Sequence, residues 1–305
     1  MRSTVFMARR DLFDDAAVGA RGIIAHPSLA AAAMSFPLDA YLARIAWTGS
    51  DRPAPDAGTL DALILAHTIA IPFENLDPLR SRPVRVDAAS VTDKLLTQRR
   101  GGYCFEHGRL FADALQALGF PVTELAARVM WNQPEDALTP QSHMLLDVST
   151  PQGPRLVDVG FGGLTVTAGL QWEDRLEQRT PHGAYRLLQR DDYWWLQSLV
   201  AGEWKNLYRV RRLPMHGCDY EASSYFLSTH PQSIFTGNLM LARAGADRRW
   251  TLFNRELSEY RADGSVARRT LPDAEALIAA VQDLFGLPVA DQPDVLARLR
   301  ALATD

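Results

Sequence analysis

The sequence predicts an α+β fold in three parts: a helical bundle, an antiparallel β-barrel and a closing α/β unit. Three observations carry this prediction. Apolar residues recur at helical spacing between Pro37 and Leu118. Past Phe120 the period turns toward two, with turn residues between short runs. Beyond Trp250, strand-like segments give way to a helix-like apolar stripe. The parts divide at 36–119, 120–225 and 226–305, behind an N-terminal extension at 1–35.

The extension mixes Arg and Asp without a period and ends in the Ala-rich stretch Leu29 to Met34; it reads as a floppy arm, an added helix or an upstream start, and most simply as a dispensable extension. In the bundle, Leu38, Tyr41, Leu42 and Ile45 share one helix face. Arg52 to Gly58, with Pro53 and Pro55, reads as a linker. Thr59 is then expected to cap a second helix carrying Leu60, Leu63, Ile64 and His67 on one side, ended by Pro72. A third helix is expected over Ala88 to Gln98. A fourth runs from Tyr103 or Cys104 to Leu118, buries Leu110, Phe111, Leu115 and Leu118, and stops at Gly119.

The barrel strands are expected at Thr123–Trp131, His143–Val148, Arg155–Val159, Tyr185–Gln189, Tyr193–Ser198 and Trp204–Val210. Turn signals at 151–153, 191–192 and 201–202 separate them. In the last part, Trp250–Leu257 and Val266–Leu271 read as strands joined through Asp263-Gly264. Asp273 then caps a helix with Leu277, Ile278, Val281 and Leu284 inward, stopped by Gly286 and Pro288. A short helix near Val295–Ala303 follows.

The 305 residues are 47% hydrophobic and 22% charged, ample for a buried core. A net charge of −4 gives no reason to expect a nucleic-acid or membrane partner. The two cysteines, Cys104 and Cys218, form no C-x-x-C pair, which argues against a disulfide framework and for a reducing compartment. No apolar run is long enough to span a bilayer, and Met1 to Asp15 lacks the apolar core of a secretory signal. The expected location is the cytoplasm. No metal is expected, because no clustered ligand spacing such as H-E-x-x-H is present.

The segment Arg99-Arg100-Gly101-Gly102-Tyr103-Cys104-Phe105-Glu106 is the most informative. Two glycines allow a tight turn into a helix that opens on a cysteine. A helix N-terminus carries partial positive charge and unpaired N–H groups, which favour a thiolate and can hold an oxyanion. A buried structural cysteine is an equal reading of that position alone. A plausible base shifts the balance. His143 opens one expected strand and Asp158 lies in the next, and equal arms about the turn near Gln152 bring them within one or two positions of facing each other. A carboxylate beside an imidazole fixes its tautomer and stabilises imidazolium, which in turn stabilises a thiolate. Among the other histidines, His107 reads as capping or packing and His67 as lining a helix interface. His230 reads as a turn residue or a neighbour of a site.

These residues, with others, resemble the arylamine N-acetyltransferases over nearly the whole chain from Pro37. Ile71-Pro72-Phe73-Glu74-Asn75-Leu76 is similar to that family's P-F-E-N-L block, and Arg100 to Glu106 to its R-G-G-[YFW]-C-x-E block. His143-Met144-Leu145-Leu146, Asp158-Val159-Gly160-Phe161-Gly162-Gly163 and Ser228-Thr229-His230-Pro231 with Ser233 and Phe235 match three more, in order. Gly108, where many members have Asn, and Ser224-Tyr225-Phe226-Leu227 depart from the family pattern.

The resemblance implies a three-domain cysteine acyltransferase fold: helical bundle, antiparallel β-barrel and α/β lid around a papain-like triad arrangement. It implies acetyl-CoA as co-substrate, a small aromatic amine or hydrazine as acceptor, and a ping-pong reaction through an acetyl-cysteine. Cys104 would be the nucleophile, His143 the base and acid, and Asp158 its orienter. Glu74 and Arg100 would form a structural ion pair. Phe73, Val129, Phe161 and Phe226 would line the acceptor pocket, while Thr139, Gly160, Gly162 and Gly163 would lie along the CoA. The sequence leaves open a monomer or a homodimer. It also leaves open a related acyltransferase or amide synthase with a propionyl or malonyl donor or a biosynthetic acceptor, a hydrolytic cysteine enzyme, and a non-catalytic CoA-binding protein.

Overall fold

The computed structural model describes residues 36–50, 52–261 and 265–304. The expectations for the extension and for the Asp263-Gly264 turn lie outside the described residues.

The bundle consists of α1 (Leu38–Arg44), α2 (Ala57–Ala70), α3 (Ala88–Thr92) with a π turn at Asp93–Thr97, and α4 (Cys104–Ala117). Leu60, Leu63, Ile64 and His67 of α2 are all fully buried, as their spacing predicts. The cap of α2 differs from expectation. Asp56 is the N-cap, its Oδ1 accepting from the Thr59 N–H at 2.8 Å. Thr59 has been drawn into the first turn because Ala57 and Gly58 offer no competing cap. Gly119 takes φ +88° directly after α4 ends, the left-handed stop that its position predicts.

Between α2 and α4 the chain forms β1 (Phe73–Glu74). The barrel strands are β2 (Val122–Val129), β3 (Gln141–Thr150), β4 (Gly153–Val157), β5 (Leu170–Gln171), β6 (Gln178–Thr180), β7 (Gly183–Arg190), β8 (Tyr193–Val200) and β9 (Glu203–Val210). All pairings are antiparallel, in the order β5-β4-β3-β2-β9-β8-β7-β6. The two edges meet through side chains: Gln178 Oε1 accepts from the Gln171 N–H at 2.7 Å, and Gln178 Nε2 donates to the Gln171 carbonyl at 3.0 Å. Leu125, Leu145, Leu156, Tyr185, Leu196 and Tyr208 are among the buried residues filling the interior. The short edge strands β5 and β6 escaped sequence reading because two or three residues show no period.

The rest comprises α5 (Gly217–Thr229), α6 (Ile234–Gly237), β10 (Met240–Ala244), β11 (Arg248–Phe253), β12 (Glu256–Arg261), β13 (Val266–Thr270), α7 (Ala274–Ala279) with a π turn at Ala280–Leu284, and α8 (Pro293–Thr304). The second sheet runs β1-β10-β11-β12-β13, so a strand from the bundle edges it, with Phe73 opposite Ala242. Two expectations fail here. Trp250–Leu257 is a hairpin rather than one strand. It turns at Asn254, whose φ is +52°, and Leu252 pairs with Leu257. An Asn tolerates that left-handed conformation through its short polar side chain. Helix α5 had no counterpart in the sequence reading. Its buried residues, Tyr220, Ser224, Leu227 and Ser228, are half polar, so no apolar stripe announces it. The buried serines are satisfied by the bundle: Ser224 Oγ donates to the Val84 carbonyl at 3.0 Å, and Ser228 Oγ accepts from the Val84 N–H at 3.2 Å.

Candidate active site

The nucleophile turn is shaped by what surrounds its glycines. A Cβ on Gly101 would lie 2.0 Å from the Pro72 carbonyl oxygen, and one on Gly102 would lie 2.6 Å from Glu106 Oε2. Only glycine permits that approach. Glu106, at N3 of α4, accepts from the Tyr103 N–H at 3.0 Å and from Lys94 Nζ at 2.7 Å. Cys104 is thereby fixed as the first residue of α4, 4% exposed. The amides of Cys104 and Phe105 sit in the first turn, where no helical carbonyl lies one turn back to receive them.

Strand β3 and the segment after β4 converge on this point. Cys104 Sγ lies 3.7 Å from the Ser142 carbonyl. Gly160 packs so tightly on Cys104 that a Cβ there would stand 2.8 Å from Cys104 Cα. The β3–β4 register pairs Leu146 with Val157, which sets Asp158 diagonal to His143 just beyond the last pair. His143 Nε2 meets Asp158 Oδ2 at 2.8 Å, and Asp158 Oδ1 accepts from the Gly160 N–H at 3.0 Å. With Nε2 committed to the carboxylate, Nδ1 is the ring nitrogen left for the sulfur. Both side chains are buried. Burial by itself lowers the His143 pKa, but the Asp158 charge and hydrogen bond, helped by Cys104, override it and push it up to about 10. That direction favours the charged ring beside Cys104.

Glu74 and Arg100 form the expected pair, with Arg100 Nη2 at 2.7 Å and Nε at 3.1 Å from Glu74 Oε1. It is part of a larger network. Arg100 Nη1 also reaches Asp77 at 3.0 Å, and Lys94 bridges Asp77 at 2.8 Å and Glu106 at 2.7 Å. Burial raises the Glu106 pKa, opposed by Lys94. The network ties β1, α3's π turn and the start of α4 together behind the nucleophile turn.

The expected pocket residues divide. The Phe161 ring stands edge-on to His143, centroids 5.2 Å apart. Phe73, Val159 and Gly162 share one cleft. Val129 pairs with Tyr208 across β2 and β9. Phe226 lies apart: it is 45% exposed on α5 and stacks on His230 at 4.4 Å. Gly162 takes φ +81° beside the Phe73 ring, and a Cβ on Gly163 would lie 2.5 Å from Thr251 Cγ2. Thr139 Oγ1 lies against Met130 Sδ at 3.6 Å, and its carbonyl accepts from Arg128.

A family model described as N-acetyltransferase matches residues 56–295. The chain belongs to the arylamine N-acetyltransferase family. It is similar to the arylamine N-acetyltransferase of Mycolicibacterium smegmatis, 41% identical over 87% of this chain and 98% of that one. It is also 41% identical to the Escherichia coli K12 arylamine N-acetyltransferase over 83% of this chain and 90% of that one. The solved structure of the Mycobacterium marinum arylamine N-acetyltransferase in complex with CoA superposes with a TM-score of 0.82 at 43% identity, covering 87% of this chain and 98% of that one. The expected three-part α+β fold thus agrees with that of solved family members.

Two aromatic residues, one beside His143 and one beside Phe73, were not given a site role from sequence. The Tyr208 ring lies 5.1 Å from His143 and 5.4 Å from Phe161. Its buried hydroxyl has no partner in hydrogen-bond geometry among the described residues. Burial and the Asp158 charge raise its pKa well above the ordinary tyrosine value. Phe235, rather than Phe226, is the aromatic that reaches the other rings, 6.3 Å from Phe73 and 5.8 Å from Tyr103. Phe235 closes the same S-T-H-P-x-S-x-F block that carries the resemblance, so the signal was present. Among the described residues no group of three His, Cys, Asp or Glu side chains is placed to hold a metal ion, and no helix is long and apolar enough to cross a membrane.

Proposed function

We propose that the chain transfers acetyl from acetyl-CoA to arylamines or arylhydrazines by a ping-pong reaction through Cys104. The observation that carries this reading is His143, bound to Asp158 at 2.8 Å and converging with it on the helix start that bears Cys104. The reaction starts from the Cys104 thiolate and the His143 imidazolium. The thiolate attacks the acetyl carbonyl, and the Cys104 and Phe105 amides receive the oxyanion. The carbon–sulfur bond to CoA breaks, and His143 gives its proton to the departing thiolate. The amine then attacks the acetyl-cysteine. Neutral His143 takes the proton from the nitrogen, and the thiolate leaves, restoring the starting ion pair.

Phe161 and Phe73 offer flat apolar faces to an aryl acceptor, joined by Phe235 and by Val129 at the strand edge. Phe226, exposed on α5, would meet the substrate only at the mouth. Gly160 keeps the backbone beside Cys104 free of a side chain, and Gly162, Gly163 and Thr139 would lie along the CoA. The packing around Gly160 and Gly163 requires glycine even without a ligand, so the CoA role of these residues is tested by donor KM. A reducing cytoplasm suits a reactive thiol. Intact mass spectrometry after mixing with acetyl-CoA alone is expected to show one added acetyl, mapped to the Cys104 peptide. No adduct, or an adduct elsewhere, would overturn the assignment.

A further inference from the structure

Arg44, Arg99 and Arg243 line a cleft of about 260 Å³ with Ala70, Phe285 and Pro288. Among the described residues, no Asp or Glu pairs with any of the three. This is unlike their neighbours: Arg100, next in the chain, and Lys94 are matched to Glu74, Asp77 and Glu106. The fold supplies carboxylates to one cluster of cations and withholds them from the other.

Two of the cleft's arginines, Arg44 and Arg243, are held in place by helix ends. Arg44, only 8% exposed, donates from Nη1 to the Ala70 carbonyl at 2.7 Å and from Nε to the Leu95 carbonyl at 3.0 Å. Arg243 donates from Nε to the Ile69 carbonyl at 2.9 Å and from Nη1 to the Leu284 carbonyl at 3.2 Å. A helix C-terminus carries roughly half a negative charge, so three such ends offset only part of three guanidinium charges. The surplus is felt: burial, then the charges of Arg99 and Arg243, lower the Arg44 pKa to about 10. Arg99 keeps its guanidinium here at φ +52°, a conformation glycine would adopt without strain. Arg243's Nη2 takes no part in either of its carbonyl bonds.

We propose that this cleft binds a phosphate group, presented either by the acyl donor's nucleotide or by a free phosphorylated small molecule. Guanidinium forks match phosphate oxygens in charge and geometry. The inference does not depend on acyl transfer, so its failure would leave the Cys104 assignment untouched.

The test is calorimetric titration of the full chain with pyrophosphate at low ionic strength, repeated on Arg99→Glu and Arg243→Gln. Arg99 is exposed and its side chain tethers no element, so Arg99→Glu is expected to melt as the wild type does. The expected result is saturation at one equivalent, weakened at least tenfold by Arg99→Glu and by Arg243→Gln. If the donor supplies the phosphate, acetyl-CoA displaces pyrophosphate. Arg99→Glu then raises the acetyl-CoA KM at unchanged kcat and leaves turnover of a phosphate-free aryl acetate ester alone. If a free phosphate is the ligand, pyrophosphate binds beside saturating acetyl-CoA and that KM does not move. Absence of pyrophosphate binding to the wild type, or wild-type binding by both folded variants, would overturn the proposal.

Discussion

Two buried histidine arrangements in this chain are driven in opposite directions. His143 meets a carboxylate, Asp158, at 2.8 Å and is pushed up to about 10. His67 and His107 meet each other, Nε2 to Nδ1, at 2.9 Å. Burial dominates there, lowering His107 to about 4 and His67 well below its ordinary value. Desolvation penalises the charged ring in both places, and only the carboxylate reverses it. Burial alone therefore favours a neutral histidine here, and burial beside an acid favours a charged one.

The neutral pair has one consistent proton arrangement. The Pro72 carbonyl can only accept, so His107 Nε2, at 3.2 Å, donates to it. His107 Nδ1 must then accept from His67 Nε2, and His67 Nδ1 from the Tyr41 hydroxyl at 3.1 Å. The chain ends on the carbonyl that Gly101 approaches, so it buttresses the nucleophile turn.

Removing the acid should break the contrast most severely. Asp158→Asn is expected to lower kcat by a factor on the order of 10⁴, as loss of a triad carboxylate does elsewhere. Steady-state kinetics would check it, and a near-normal rate would leave Asp158 a structural residue only. Cys104→Ser should likewise abolish transfer while the melting temperature holds. Next in size, His67→Leu should leave the His107 Nδ1 and the Tyr41 hydroxyl buried without partners, costing about 1–3 kcal/mol for each. Chemical denaturation would read this as a lower midpoint at unchanged slope, and an unchanged midpoint would deny the relay its role.

The two arrangements should also leave opposite marks on stability against pH. Between about 6.5 and about 10, folded His143 binds a proton that the unfolded chain has lost. Its contribution is thus complete below 6.5 and disappears as pH rises through 10. Between about 4 and 6.5, unfolded His107 binds a proton that the folded chain refuses. Its contribution is complete above 6.5 and fades as pH falls. Melting curves across pH should show both losses, with the alkaline one reduced in Asp158→Asn. The smallest effect is kinetic selectivity: iodoacetamide should label Cys104 faster than the exposed Cys218 near neutral pH, and equal rates would contradict an activated thiolate.

The His143–Asp158 contact was legible in the sequence because a hairpin's register follows from its turn. Thr150 pairs with Gly153, and that one fact carries His143 and Asp158 toward each other. The helices of the bundle were legible because their buried faces are apolar. Helix α5 was not, since it docks through Ser224 and Ser228 rather than through a stripe. Tyr208 was not either, because a strand's alternation shows which residues point inward but not which rings they meet across the barrel. Phe235 and Phe226 sit on neighbouring short segments, and only the turn at His230-Pro231 decides which one reaches Phe73.

The central claim is a charged His143 at the pH where the enzyme works. Histidine-selective NMR titration of the wild type and of Asp158→Asn measures it. The account predicts imidazolium shifts for His143 throughout the neutral range, with a midpoint near 10 that falls sharply in the variant. A neutral His143 ring at pH 7 in the wild type, or a midpoint unmoved by the substitution, would contradict it.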